Sequence, residues 1–150
     1  FTLDSSAPAA RSISKAARGA PSDDCEEEAK QTRQLLSDLG FTGPFNRNHC
    51  DIPGITCDWH CRVEKLECLT CTGHLPEHIP LGHLQEVTLV SANLTGDIKA
   101  FQGMKMLTAL NLQGTAISGD VRALEASTSL VKLALAGTNV VGDVKVFAEL

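Results

Sequence analysis

The chain has 150 residues, 43% of them hydrophobic, 21% charged and 4% aromatic. Its 13 Lys+Arg against 18 Asp+Glu give a formal net charge of −5, which argues against the clustered basic face of a nucleic-acid binder. One Trp and no Tyr argue against a base-stacking platform or an aromatic-rich pocket, and no apolar run approaches the ~20 residues that span a bilayer.

The chain opens with FTLDSSAPAARSISKAARGA, rich in Ala and Ser, with Arg11, Lys15 and Arg18 against Asp4. That composition fits either the remnant of an organellar transit sequence or a flexible linker, and residues 1–22 are read as an arm. At Ser22 the composition changes. SDDCEEEAKQTRQLLSDLG predicts a helix over about 24–39. Asp23 or Asp24 can cap its first turn, and Glu26, Glu27 and Glu28 sit where the helix dipole favours negative charge. Leu35, Leu36 and Leu39 form an apolar edge, and Gly40 suits the position just past the helix. A loop dense in Pro, Gly and Asn follows, FTGPFNRNHCDIPGITCDWHC, and from Val63 the text becomes periodic.

Three segments overlay: HLQEVTLVSANLTGDI from His83, MLTALNLQGTAISGDV from Met106 and SLVKLALAGTNVVGDV from Ser129. Leu84, Leu107 and Leu130 are equivalent, as are Gly96, Gly119 and Gly142, and Gly73 falls one period earlier. The step is 23 residues throughout. Such a period with L-x-x-L-x-L is the leucine-rich-repeat signature. Within one unit Leu84, Val87, Leu89, Leu94, Ile98, Phe101 and Met104 are the apolar set. Val87 and Leu89 stand two apart, as on one face of a strand. Burying that set does not offset the entropy of ordering a whole unit, so a single unit cannot stand alone and must stack.

CDIPGITCD, followed by RVEKLECLTCTGHLP, resembles the N-terminal cap and first repeat of plant-type leucine-rich-repeat proteins. The likeness covers about Cys25 to Leu150. It implies a right-handed solenoid of the α/β-repeat type, with short parallel strands and a helical cap stapled by a Cys50–Cys57 disulfide. LTGDI, ISGDV and VVGDV imply a second short strand on the outer flank. The chain departs from that family at several positions. Ile52 replaces the cap tryptophan, and Ala92, Thr115 and Thr138 stand where the family has an asparagine ladder. Lys99, Arg122 and Lys145 replace a proline, and the first repeat is two residues short in its turn. The organisation expected is an arm (1–22), a cap (23–61) and repeats (62–150) open at the C-terminal end. There Leu133, Leu135, Val140 and Val144 would be exposed, with Phe147 and Leu150 at the positions of Phe101 and Met104. Either further repeats or a partner would cover that edge.

Four groups of residues can carry chemistry or recognition. His60, Cys61, Cys68 and Cys71 form a weak metal-ligand set through the C-x-x-C spacing, set against buried structural cysteines. Cys61 is open to pairing with Cys71 or Cys25, or to staying free. His49, His60, His74, His78 and His83 cluster in sequence but have no nucleophile at motif spacing, and read as surface-loop histidines. Asp97, Asp120 and Asp143 form one column and Lys99, Arg122 and Lys145 the next, either as a mutually compensating stripe or as a docking stripe. The inner strand face offers Lys65, Glu67, Leu69, Glu86, Thr88, Val90, Ala109, Asn111, Gln113, Lys132, Ala134 and Ala136, the usual recognition surface of a solenoid. Asn93-Leu94-Thr95 is a glycosylation sequon.

The reading is a non-catalytic protein–protein interaction or scaffold protein with no cofactor. It is favoured as an accessory subunit of a larger organellar or photosynthetic assembly; the alternative is a receptor-type module binding through its concave face. The partners expected are proteins, not nucleic acid, and the chain has no transmembrane span of its own, though it could sit peripheral to a membrane complex. Its cysteines place it in an oxidising compartment, either an organelle lumen such as the thylakoid or the secretory and extracellular route.

Overall fold

The computed structural model describes residues 23–45 and 48–143, apart from the side chains of Asp23 and Asp24. The expected arm, the helix-capping aspartates, Lys145 and the apolar residues from Val144 onward lie outside the described residues. Helix α1 (Asp23–Asp38) is followed by strands β1 (Ile55–Cys57), β2 (Val63–Cys68), β3 (Glu86–Leu89) and β4 (Thr95–Asp97). Then come β5 (Ala109–Asn111), β6 (Ala116–Asp120), β7 (Lys132–Ala134) and β8 (Asn139–Val141). Short 3₁₀ turns span His49–Asp51, Ile98–Phe101 and Val121–Leu124.

Two sheets result. The inner sheet has the order β1-β2-β3-β5-β7, parallel except for the β1–β2 hairpin, and the outer sheet has the order β4-β6-β8. Between them lies one core. All seven apolar residues of the second unit, from Leu84 to Met104, are at most 4% exposed. Leu107, Leu110, Leu112, Ile117, Val121 and Leu124 repeat that pattern one unit on. This is a leucine-rich-repeat solenoid.

The two sheets keep different registers. On the inner sheet Glu86 pairs with Ala109 and Ala109 with Lys132, the full repeat of 23. On the outer sheet Thr95 pairs with Ala116 and Ser118 with Asn139, a step of 21. A slip of two keeps every side chain on its own face, so the core is undisturbed. The outer glycines make the close approach possible. Gly96, Gly119 and Gly142 have φ of +139°, +112° and +127°, and a Cβ on each would collide with Leu75, Asp97 or Val121 respectively.

The cap takes the place of a preceding repeat. Helix α1 ends as Gly40 enters the left-handed region at φ +75°, with Gly40 N–H donating to Ser37 O and Phe41 N–H to Leu36 O, a Schellman stop. The last helical carbonyls then receive the first repeat: Gly73 N–H donates to Leu39 O and His74 N–H to Asp38 O, both at 2.9 Å. At the other end Cys25 is joined to Cys61. Midway, the Glu28 carboxylate accepts the Val63 N–H at 2.7 Å. Leu35, Leu36 and Leu39 are buried between these ties.

Candidate recognition surface

The outward side of the inner sheet is set by strand register. Thr56, Lys65, Glu86, Ala109 and Lys132 lie in one row, and Glu67, Thr88, Asn111 and Ala134 in the next. Their strand neighbours, Leu66, Val87, Cys68 and Leu89, point into the core, because side chains alternate along a strand. Leu69, Val90, Gln113 and Ala136 follow just past the strand ends, and Leu69 is 56% exposed.

A hollow of about 400 Å³ sits at the cap end of this sheet, lined by Gly54, Thr56, Lys65, Leu66, Glu67, Glu86 and Thr88. Its wall depends on Gly54. This glycine has φ +91°, a Cβ there would overlap the Glu67 carbonyl oxygen, and its own carbonyl accepts the Glu67 N–H at 2.8 Å. The Lys65 ammonium and the Glu86 carboxylate pair at 3.3 Å, with side chains 53% and 48% exposed. An ion pair that wet is worth under about 1 kcal/mol, so either charge can be redirected to a partner at small cost. Asn111 is less available, since its side-chain oxygen accepts the Gln113 N–H at 3.0 Å.

The aspartates of the flank stripe have a structural role as well. The Asp97 carboxylate accepts the Lys99 N–H at 2.8 Å, and the Asp120 carboxylate accepts the Arg122 N–H at 2.9 Å. Each aspartate caps the 3₁₀ turn that follows it, satisfying a backbone donor with no helical partner. Among the described residues no ion pair links Asp97 or Asp120 to Lys99 or Arg122. The two cations stand exposed beside a shallow groove of about 330 Å³, and Asp143 is exposed one turn further on.

All six cysteines are in disulfides: Cys25–Cys61, Cys50–Cys57 and Cys68–Cys71. The weak metal set is therefore undone, because Cys61, Cys68 and Cys71 have no thiolate to give and leave His60, exposed beside Arg62, without co-ligands from that set. Cys68 and Cys71 are buried, as structural cysteines would be, but they are bonded to each other, and of the partners open to Cys61 the structure takes Cys25 and not Cys71. Leu66 aligns with Val87 at a step of 21 while Val87 aligns with Leu110 at 23, so the first turn is two residues short. The Cys68–Cys71 bond, with Cα atoms 5.7 Å apart, closes that shortened turn. The C-x-x-C spacing was the available signal, and it is as compatible with a local disulfide as with a metal. His49, Cys50 and Cys57 also lie close together, but Cys50 and Cys57 are bonded and His49 Nε2 lies 2.8 Å from Cys61 O, where it must donate.

The histidines are not all surface groups. His49 is 3% exposed, and its bond to Cys61 O braces the hairpin tip. That tip is a rigid turn with Cys61 at φ +56°. The Asp58 carboxylate accepts N–H groups of His60 and Arg62 and pairs with the Arg62 guanidinium at 2.9 Å. Burial pushes the Asp58 carboxyl up, but those donors outweigh it and hold the group below the usual carboxylate range. His60 and His83 face the same guanidinium, and His74 bonds Thr95. The ladder position is answered residue by residue: Thr115 and Thr138 donate to Leu112 O and Leu135 O, whereas at Ala92 the Leu94 N–H closes the turn onto Ser91 O.

No protein-family model and no curated protein matches the sequence. Solved structures do match. The LRR ectodomain of the receptor kinase SOBIR1 from Arabidopsis thaliana is similar at TM-score 0.66 and 21% identity, over 80% of this chain and 70% of that one. The PEPR1–AtPEP1 structure is similar at TM-score 0.63 and 23% identity. There the match takes in 77% of this chain and spans only 18% of the other. The shared fold is that of plant leucine-rich-repeat ectodomains. Three disulfides among the described residues belong to an oxidising compartment. No described helix is long and apolar enough to cross a membrane.

Proposed function

We propose that the chain is a recognition module that binds a protein or peptide segment along its inner sheet. The observation that carries this reading is the row Thr56–Lys65–Glu86–Ala109–Lys132 running past an open hollow. It presents charge at the cap end, the small Ala109 in the middle with Ala134 in the next row, and Lys132 at the far end, so an extended backbone can approach closely at the alanines while Glu67, Lys65 and Glu86 select its charges. No part of this face is needed for the core. The likeness to the PEPR1–AtPEP1 structure supports this reading. The fixed accessory subunit of an organellar or photosynthetic assembly is the weaker reading, since the likeness runs to receptor ectodomains and lends it nothing. The same likeness favours the extracellular over the thylakoid setting.

The test compares the wild-type chain with a Lys65→Glu/Glu67→Lys variant and with a flank control, Lys99→Glu/Arg122→Glu. Proteins retained from the source's extracellular fraction are measured by titration. Binding at the inner sheet predicts at least a tenfold loss for the first variant and near-wild-type affinity for the second. The opposite pattern would place recognition on the flank and defeat the proposal. Co-migration of the chain with a large complex through salt washing would restore the subunit reading.

A further inference from the structure

We infer that Asn93 carries an N-linked oligosaccharide, and that the turn joining β3 to β4 is therefore a sugar-covered, solvent-facing edge. The sequence Asn93-Leu94-Thr95 has the acceptor pattern, with no proline at its centre. The fold leaves room for a sugar on that turn. Leu94 is 0% exposed and drives into the core, while Asn93 and Thr95 on either side are exposed. The local turn is closed by Leu94 N–H donating to Ser91 O, a bond that leaves the Asn93 carboxamide untouched.

Two other asparagines of this chain spend their side chains on the backbone. Asn48 accepts the Cys50 N–H and Asn111 accepts the Gln113 N–H. Among the described residues Asn93 makes no such bond. The repeat also shows that nothing in the fold requires an asparagine there, since Ala116 fills the same place one unit later. Three disulfides supply the second, independent observation, because a chain that folds with them has passed through an oxidising lumen.

The reaction is a group transfer from a polyprenyl-pyrophosphate-linked oligosaccharide. Asn93 Nδ2 forms a bond to the anomeric carbon as that carbon's bond to the pyrophosphate oxygen breaks. The nitrogen loses one proton, and the lipid pyrophosphate departs with the electron pair. Once folded, the Thr95 hydroxyl lies 2.8 Å from His74 Nδ1 and 3.4 Å from Gly73 O, so transfer precedes docking of β4 on the first repeat. The glycan then occupies the edge between the two sheets and leaves the rows of the inner sheet open. This inference stands whether or not the inner sheet binds a partner.

The test is peptide mapping of the chain purified from its natural source, before and after enzymatic release of N-glycans. The expected result is a Ser91–Lys99 region that is detected only after release, with Asp in place of Asn93. In a secreted recombinant chain, Asn93→Gln and Thr95→Ala should both abolish the glycanase-sensitive mobility shift, and Thr95→Ser should keep it. A disulfide-bonded source protein with Asn93 unmodified in most molecules overturns the inference. Source mapping decides the matter by itself if a variant fails to fold.

Discussion

The cap and the repeats are two solutions to one problem, that of holding together a short hydrophobic core. From β3 onward the chain relies on periodic burial: each unit lays Leu, Val, Ile and Phe on the previous one and continues two parallel ladders. From α1 to the first turn it relies on individual ties. Cys25–Cys61 and Cys50–Cys57 join cap segments to one another, Cys68–Cys71 closes the short turn, and Glu28 reaches across to the Val63 backbone. The repeats can share one pattern because every unit has the same neighbours. Among the described residues the cap has a neighbour on one side only, and supplies by covalent and polar bonds what stacking gives elsewhere.

The comparison can be broken most forcefully inside the repeats. Phe101 is fully buried in the 3₁₀ turn behind β4, and Phe101→Ala should cost about 3–5 kcal/mol in a urea titration. A loss near zero would mean that stacking burial does not hold the repeats. In the cap, removing a disulfide should cost more the longer the loop that it closes. Cys25→Ala/Cys61→Ala, with 36 residues of separation, should lose about 4 kcal/mol and Cys68→Ala/Cys71→Ala, with 3, about 2 kcal/mol. The reverse order would show that the short turn is the more demanding place.

Glu28 sharpens the contrast by pH. Burial holds its carboxyl above the usual range, partly offset by the Val63 N–H. The folded chain therefore keeps a proton that the unfolded chain has lost. This stabilises at acid pH, and the stabilisation fades as pH rises from the unfolded pKa through the raised folded one. Glu28→Gln should keep the hydrogen bond and remove that loss, so that it gains on wild type across that window. Glu28→Ala leaves the Val63 N–H without its acceptor and should cost about 1–3 kcal/mol at any pH. Equal behaviour of the two variants would show that the tie is not the hydrogen bond.

The smallest effect is a gain within the repeats. Ser127 occupies the position of Met104, is 0% exposed, and its hydroxyl has no partner among the described residues. Ser127→Ala should raise stability by about 1 kcal/mol by removing a buried, unbonded hydroxyl, and a loss of stability would mean that the group is bonded in solution.

Much of the fold was legible because its signal is repeated. Leu84, Leu107 and Leu130 announce the core, Gly96, Gly119 and Gly142 announce the close-packed outer edge, and the helix end at Gly40 follows from local chain physics. Capping by the flank aspartates was not legible, because a column of like charges looks the same whether or not it caps a turn. The difference lies in a carboxylate oxygen lying 2.8 Å from an N–H two residues on. His49 misled for a related reason: a loop histidine is usually exposed, and only the arrival of the hairpin tip over it gives the ring a carbonyl to bond.

Period and strand spacing were thus determined by the sequence alone, since they recur in every unit, and so was the helix stop at Gly40, which depends on residues a few positions apart. The tertiary structure decided which cysteine meets which, how Glu28 joins Val63, and the two-residue slip of the outer ladder. Each of these brings together groups from different stretches of the chain, and which groups meet is settled only when the units stack and fix the distances between them.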